Sequence, residues 1–149
     1  TREGDYDLAA PDTKGYSKRK TEDLLKRAGK AGESNADLAI SIHMNSIPSP
    51  KWSGAQTFYY SGNAEGARLA ADIQAEIIAA LENTNRVAKP NDTVYLLKTL
   101  KMPAALVEVG FLSHPGEARQ LADEAYQRKV AAAIYRGVLR FSAGKGDRP

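Results

Sequence analysis

A histidine and a glutamate, each set in an apolar stretch, are the side chains of this sequence best suited to catalysis. His43 lies in LAISIHMN (38–45), and Glu108 lies in AALVEVGFL (104–112). An imidazole binds metal ions and exchanges protons near neutral pH. A carboxyl group in apolar surroundings has a raised pKa, which suits a general acid or base. Both stretches are predicted to be buried strands, so the presence of an ionisable side chain in each of them requires an explanation.

The glutamate has two explanations. Alternation along its strand predicts one wholly apolar face, formed by Ala105, Val107, Val109 and Phe111. Glu108 lies on the opposite face, where an unpaired carboxylate is costly to bury. It therefore either forms a structural ion pair with a lysine or arginine, or it is a catalytic carboxylate. Gly110, on the same face, would allow a ligand or backbone to approach closely.

The histidine also has two explanations. His43 shares its face with Ser41 and Asn45, and it is either a hydrogen-bonded core residue or a ligand of a metal ion. Its position at the carboxyl end of a strand favours the second, because ligands of open α/β sheets bind at those ends. The other histidine, His114, lies in SHPGE, where a helix is predicted to begin. We expect it to be a surface or capping residue rather than a metal ligand.

Strands and helices alternate along the chain, which predicts an α/β fold with a twisted, mostly parallel sheet flanked by helices. Helices are predicted at about 18–33 with Ser17 as cap, at 63–84 with Asn63 as cap, and at about 115–142 with a break near Ala122–Asp123. Strands are predicted at 38–45, 55–60, 93–98 and 105–112. Residues 1–16, 46–55 and 86–92 are predicted to be loops.

The composition fits one globular domain and excludes several kinds of site. The 149 residues are 42% hydrophobic and 26% charged, with a net charge of +3. The absence of cysteine excludes disulfides, thiolate zinc sites and cysteine nucleophiles. No stretch approaches the roughly 18 apolar residues of a membrane-spanning helix. The mild positive charge permits an anionic partner, but without a basic stripe or a recognisable motif we do not expect nucleic acid.

A series of motifs in order resembles the zinc-dependent N-acetylmuramoyl-L-alanine amidases of the type-3 family. The matching segments are TR (1–2), Arg27 on its helix, ADLAISIHMN (36–45), GAQTFYY (54–60), PAALVEVGFLS (103–113) and the helix that ends in VAAAIYRGVLRF at 141. The segments KGYSKRK and KWSGAQ are most similar to the spore-cortex, CwlD-type branch. The match extends over residues 1–141.

The resemblance implies a six-stranded sheet in the full domain, with about four of the strands in this chain. Residues 1–142 would be the C-terminal major part of a single amidase catalytic domain, and 143–149 a polar tail. Zn²⁺ would be the cofactor, with His43 as one of its ligands. The other ligands, a histidine and a glutamate, would lie upstream of residue 1. These 149 residues alone are therefore expected to be an inactive fragment of the enzyme.

The implied reaction is hydrolysis of the amide bond between N-acetylmuramic acid and L-alanine of the peptidoglycan stem peptide. Zinc would polarise the amide carbonyl and lower the pKa of its water. Glu108 would take the proton of that water and pass it to the departing amine. Asn45 and Trp52 are predicted to bind substrate, although packing of Trp52 on its own domain is an equal alternative.

The implied setting is outside the cytoplasm, in the cell wall or in the spore cortex and intermembrane space. The cortex branch of the family implies a role in forming muramic δ-lactam, with the peptidoglycan glycan strand and its stem peptide as partner. An activating partner protein is not identified by the sequence. The alternative function is a non-catalytic peptidoglycan-binding fragment or a degenerate amidase. The presence of both His43 and Glu108 argues against it, because a binding module needs no glutamate at a strand end.

Overall fold

The computed structural model describes residue 4 and residues 6–144, and their strands form one sheet of four strands. The strands are β1 (Ala39–Asn45), β2 (Gln56–Tyr59), β3 (Lys89–Pro90) and β4 (Ala104–Phe111). The helices are α1 (Tyr16–Glu33), α2 (Ala64–Leu81), α3 (Tyr95–Thr99), α4 (Pro115–Ala122) and α5 (Glu124–Ala143). The predicted α/β class is confirmed. The TR motif at 1–2 and most of the predicted tail lie outside the described residues.

The strand order is β1–β4–β2–β3, so the apolar strand β4 is central. β1 is parallel to β4, and β2 is parallel to β3. β2 is antiparallel to β4. Two of these three pairings are parallel, which confirms a mostly parallel sheet. The antiparallel direction of β2 brings its first residues to the carboxyl end of β4.

One face of the sheet carries the main core. The odd-numbered residues Ala105, Val107 and Val109 of β4 pack here with α2 and α5. The i+4 repeat of α2 predicted its buried face, formed by Leu69, Ile73, Ile77 and Leu81. Each such side chain contributes about 1.5–3 kcal/mol when fully buried. None of the helices in residues 4 and 6–144 combines the length and apolar character needed to cross a bilayer.

The opposite face of β4 carries a smaller apolar cluster. Leu106 and Ala104 pack against Leu97 of α3, and α3 in turn contacts α1. The prediction of a strand at 93–98 was wrong, because these residues form the helix α3. Short apolar runs do not distinguish the two structures. Leu97 is the only buried side chain of this helix, and Val94 and Leu100 at its two ends pack against the same cluster. The edge position of the sheet is taken instead by Lys89 and Pro90, in the predicted loop 86–92.

Two of the predicted helix caps and the predicted break were tested by the structure. The Asn63 side chain accepts a hydrogen bond from the Gly66 N–H at 2.7 Å, which confirms it as the cap of α2. The break before α5 is also confirmed, with Asp123 as cap. The Ser17 cap was wrong, because α1 already begins at Tyr16 and Ser17 lies within its first turn.

Strand β1 is less buried than its apolar sequence predicts. Ile42 and Met44 are 57% and 52% exposed, and the predicted burial of this strand was wrong. The physical reason is position, because β1 lies at an edge and pairs only with β4 among the described residues.

Candidate active site

His43 and Glu108 lie side by side on neighbouring strands. Their Cα atoms are partners in the parallel pairing of β1 with β4. Paired positions of adjacent strands project their side chains from the same face of a sheet. Both residues are close to the carboxyl ends of their strands, where ligands of open α/β sheets bind. The fold thus brings together the two side chains that the sequence singled out.

Glu108 has the environment of a reactive carboxyl group. It is half-buried, and burial raises its pKa above the ordinary value of 4.5. Its Oε2 atom is buried and has no hydrogen-bond partner among the described residues. The structural ion pair considered from the sequence is not found there either. Because a buried acceptor without a partner costs free energy, this oxygen is available for a proton, a water or a substrate group.

His43 is exposed, so the interpretation as a core histidine was wrong. Its Nε2 atom lies 2.8 Å from the hydroxyl oxygen of Ser41, two residues earlier on the same strand. A strand-end imidazole suits a zinc ion chemically, but zinc sites of hydrolases use three protein ligands. No group of three or more histidine, cysteine, aspartate or glutamate residues converges in residues 4 and 6–144. The described residues therefore supply one donor and not a complete metal site.

A β-bulge follows this pair and reorients the end of β4. His43 is paired with Glu108, but Asn45 is paired with Phe111, so β4 contains one extra residue. The bulge moves Phe111 to the face of Glu108, and its predicted place on the apolar face was wrong. Gly110 lies in the bulge with a φ of 154°. A Cβ atom there would lie 3.2 Å from Oε2 of Glu117, so the glycine admits a side chain of the protein itself.

Glu117 is a buried carboxylate that the sequence analysis did not identify. It is 6% exposed. Its Oε1 accepts a hydrogen bond from the Gly54 N–H, and its Oε2 accepts one from the Phe111 N–H, both at 2.8 Å. The carboxylate thereby ties the loop 46–55 to the end of β4. The available signal was its position three residues after the helix cap His114, where a glutamate commonly turns back to its own helix.

Arg86 joins the loop to the face of the sheet that carries Glu108, and the sequence did not point to it. Its guanidinium carbon lies 5.5 Å from the ring centroid of Phe111 and 5.9 Å from that of Trp52. Nη2 donates to the Ser53 carbonyl at 2.9 Å, and Nη1 donates to Oε1 of Gln56 at 3.4 Å. A lone arginine in a loop gives no sequence signal. Its contacts are visible only once the loop and the strands are folded.

The remaining predicted residues surround this centre. Trp52 is 54% exposed on the loop, with Arg86 against its ring. Asn45 ends β1, and its carbonyl oxygen accepts a hydrogen bond from the Leu112 N–H at 2.7 Å. Nδ1 of His114 accepts a hydrogen bond from the Glu117 N–H, which confirms the capping role. The structure places these side chains near the strand ends without assigning them a ligand.

A cleft of about 540 Å³ runs along the sheet below the His43 and Glu108 pair. Residues of α1, α3 and the two paired strands line it, among them Arg27, Ser41, Leu97 and Leu106. Neither His43 nor Glu108 lines this cleft. Ser41 connects the cleft with His43, since it lines the cleft and its hydroxyl contacts the His43 ring.

Comparison with known proteins agrees with this geometry. The sequence profile of the N-acetylmuramoyl-L-alanine amidase family matches residues 1–140. The germination-specific N-acetylmuramoyl-L-alanine amidase of Bacillus subtilis is 54% identical over 149 residues. The B. subtilis amidase LytC is 36% identical over 121 residues, which are 79% of this chain and 24% of LytC.

Among solved structures, this chain is similar to the CwlD amidase of Clostridioides difficile, determined in complex with the GerS lipoprotein. The TM-score is 0.92 at 38% identity, covering 95% of this chain and 73% of that one. The match to the B. subtilis germination-specific amidase takes in 100% of this chain and 63% of the relative's length. The chain belongs to the N-acetylmuramoyl-L-alanine amidase family.

Proposed function

We propose that this chain carries the catalytic glutamate of an enzyme that cleaves the amide bond between N-acetylmuramic acid and L-alanine in peptidoglycan. The observation that supports this most strongly is the half-buried Glu108, whose Oε2 lacks a partner among the described residues, directly beside His43 at the strand ends. A non-catalytic binding module gains nothing from such an arrangement, because an unpaired buried carboxylate lowers stability.

Glu108 performs the proton transfers of the proposed reaction. As the carboxylate it accepts a proton from the attacking water, and as the carboxylic acid it donates a proton to the departing alanine nitrogen. The raised pKa of Glu108 makes it a stronger base than an exposed glutamate and keeps the protonated form accessible. The same half-buried position thus serves both halves of the reaction.

Zinc dependence is a second part of the proposal. His43 is one metal ligand, and any further ligands come from outside the residues that the structure describes, because no complete donor group is found there. The imidazole is a suitable donor for zinc.

The proposed place of action is the bacterial cell wall, specifically the spore cortex, after export. Support comes from the germination-specific relative in B. subtilis and from the similarity to the C. difficile CwlD amidase. The substrate is the glycan strand with its stem peptides attached. Removal of a stem peptide leaves the muramic acid lactyl carboxyl free, as muramic δ-lactam formation requires.

The test combines activity with metal content. The protein at its full natural length is incubated with purified cortex peptidoglycan, and released stem peptides with a new N-terminal alanine are measured by mass spectrometry. We expect release by the wild type and release slower by roughly 100-fold or more by Glu108→Gln. Binding of peptidoglycan without release by the wild type would instead indicate the degenerate, non-catalytic alternative.

Elemental analysis of the same preparations tests the metal proposal independently of activity. We expect His43→Ala to lower the zinc content per chain. His114→Asn is the matched control, because asparagine is also a good helix cap and this histidine faces its own helix. Unchanged zinc in His43→Ala, or equal loss in both variants, would remove His43 from the proposed ligand set.

A further inference from the structure

Arg86 is a partly buried cation with no carboxylate partner among the described residues. Its hydrogen bonds go to two neutral oxygens, the Ser53 carbonyl and the Gln56 side-chain amide. By contrast, Arg68 and Arg136 each lie within 3.1 Å of a carboxylate oxygen. A partly buried charge without a counter-ion is costly unless a ligand supplies the opposite charge.

The surroundings hold the Arg86 guanidinium in one place. Its carbon lies within 6 Å of the Trp52 and Phe111 ring centroids. The carboxylate of Glu117 binds the Gly54 and Phe111 N–H groups, and so fixes the backbone on both sides of this cation. A guanidinium stacked on aromatic rings keeps N–H groups at its edge for a ligand. The site is therefore preorganised and does not depend on a free loop.

The position of Arg86 relative to Glu108 limits where on a substrate its ligand can be. Gln56, which Arg86 contacts, is the Cα partner of Glu108 on the neighbouring strand. Phe111 lies on the same face because of the bulge. The guanidinium of Arg86 is therefore separated from the carboxyl group of Glu108 by one strand spacing plus the length of a side chain, which is roughly 5–10 Å. Such a distance equals about two or three residues of extended peptide.

We propose that Arg86 binds a stem-peptide carboxylate two or three residues from the scissile bond. Arginine binds carboxylates through paired, charge-assisted hydrogen bonds, which its remaining N–H groups provide. This inference rests on the proposed amidase function and adds a specificity-determining residue to it. The enzyme discriminates stem peptides by whether this carboxylate is free or amidated.

The experiment uses two matched probes and a catalytically blocked protein. The probes are an N-acetylmuramoyl tripeptide with the carboxylates of its second and third residues free, and the same compound with both amidated. Their affinities for the full-length Glu108→Gln protein are measured by isothermal titration calorimetry. We expect the free carboxylate form to bind about tenfold or more tightly than the amidated form, as loss of a charge-assisted hydrogen bond requires.

Three further substitutions in the Glu108→Gln background identify the residue responsible. Arg86→Met keeps an apolar stem between the rings and should abolish the preference for the free carboxylates. Arg86→Lys keeps the positive charge and should retain part of the preference for the free carboxylates. Arg119→Met, which removes an exposed arginine of α4, should leave this preference unchanged. Circular dichroism verifies that each variant is folded, and the lysine variant carries the test if the methionine variant is not.

Two results would overturn the proposal in distinguishable ways. The first result is equal affinity of the Glu108→Gln protein for both probes, or a preference that survives Arg86→Met, while the wild type cleaves peptidoglycan. This result rejects the role of Arg86 and leaves the amidase function standing. A wild-type protein that neither cleaves peptidoglycan nor binds either probe rejects the amidase function and this inference together.

Discussion

His43 and Glu108 are Cα partners on adjacent parallel strands, yet their polar atoms are satisfied differently. Nε2 of His43 lies 2.8 Å from the hydroxyl of Ser41, whereas Oε2 of Glu108 has no partner among the described residues. The buried Glu108 Oε2 therefore keeps its capacity to accept a hydrogen bond or a proton, whereas Nε2 of the exposed His43 is already shared with Ser41.

Glu108→Gln should abolish the proton transfers while keeping the shape of the site. We expect kcat on cortex peptidoglycan to fall roughly 100- to 10,000-fold, the usual contribution of a general acid or base. Glu124→Gln, which removes an exposed carboxylate of α5, is the control and should retain activity. A Glu108→Gln enzyme within a few-fold of the wild type would assign the proton transfers to another group.

The same substitution should stabilise the protein in a pH-dependent way. Burial raises the pKa of Glu108 in the folded state, so the folded state holds more protons than the unfolded state between the two pKa values. The wild type therefore loses stability as pH rises through this window, and Glu108→Gln does not. With a chelator present, urea unfolding should show the variant more stable at neutral pH and equal to the wild type below about pH 4. A difference in the free energy of unfolding that is the same at all pH values would contradict the raised pKa of Glu108 in the folded state.

Glu117→Gln should loosen the connection between the loop 46–55 and β4. The amide keeps one acceptor, so one of the N–H groups of Gly54 and Phe111 loses its partner, which costs about 1–3 kcal/mol. Trp52 is the sole tryptophan of the sequence, so its emission reports on this loop. We expect a changed emission maximum and easier quenching by acrylamide.

Asp23→Asn is the matched control for that loop experiment. Asp23 is another buried carboxylate, and it accepts a hydrogen bond from the Leu8 N–H at 3.0 Å. Its loss should lower the free energy of unfolding without altering Trp52 emission. If both variants change the emission equally, the effect on the loop is a general consequence of instability.

Gly110→Ala should destabilise the bulge of β4. The added Cβ would lie 3.2 Å from Glu117 Oε2, and the residue has a φ of 154°, which is unfavourable for alanine. Such backbone strain costs about 1–3 kcal/mol. Gly29→Ala is the opposite control, because nothing lies within 4 Å of its added Cβ in α1 and alanine favours a helix by about 0.5–1 kcal/mol. Urea unfolding of both variants should therefore give changes of opposite sign.

The parts of the molecule that could be predicted depend on local patterns. The repeat of Leu69, Ile73 and Ile77 identified α2, and the apolar run around Val107 identified the central strand. The segment 93–98 was misassigned because five residues with one buried side chain have no recognisable period. Local alternation likewise could not locate Phe111, because a bulge depends on the partner strand.

The supporting residues of the site were missed for a different reason. Glu117 binds Gly54, which lies 63 residues earlier in the chain, and Arg86 contacts Gln56 from 30 residues away. Neither contact has a local sequence pattern. His43 and Glu108 were recognisable because a polar residue in an apolar strand is unusual by itself.

The antiparallel direction of β2 has an evolutionary consequence. Because β2 begins where β1 ends, the connection 46–55 needs only to turn at the end of the sheet that carries His43 and Glu108 and never crosses to the other end. Residues 48–51 lie between the Ile47 N–H, which donates to Ser113 Oγ, and the contacts of Trp52, Ser53 and Gly54, so a change of length there leaves the strands in place. On the proposed function, a change in the length of this loop would alter substrate preference and leave the paired strands of His43 and Glu108 in place.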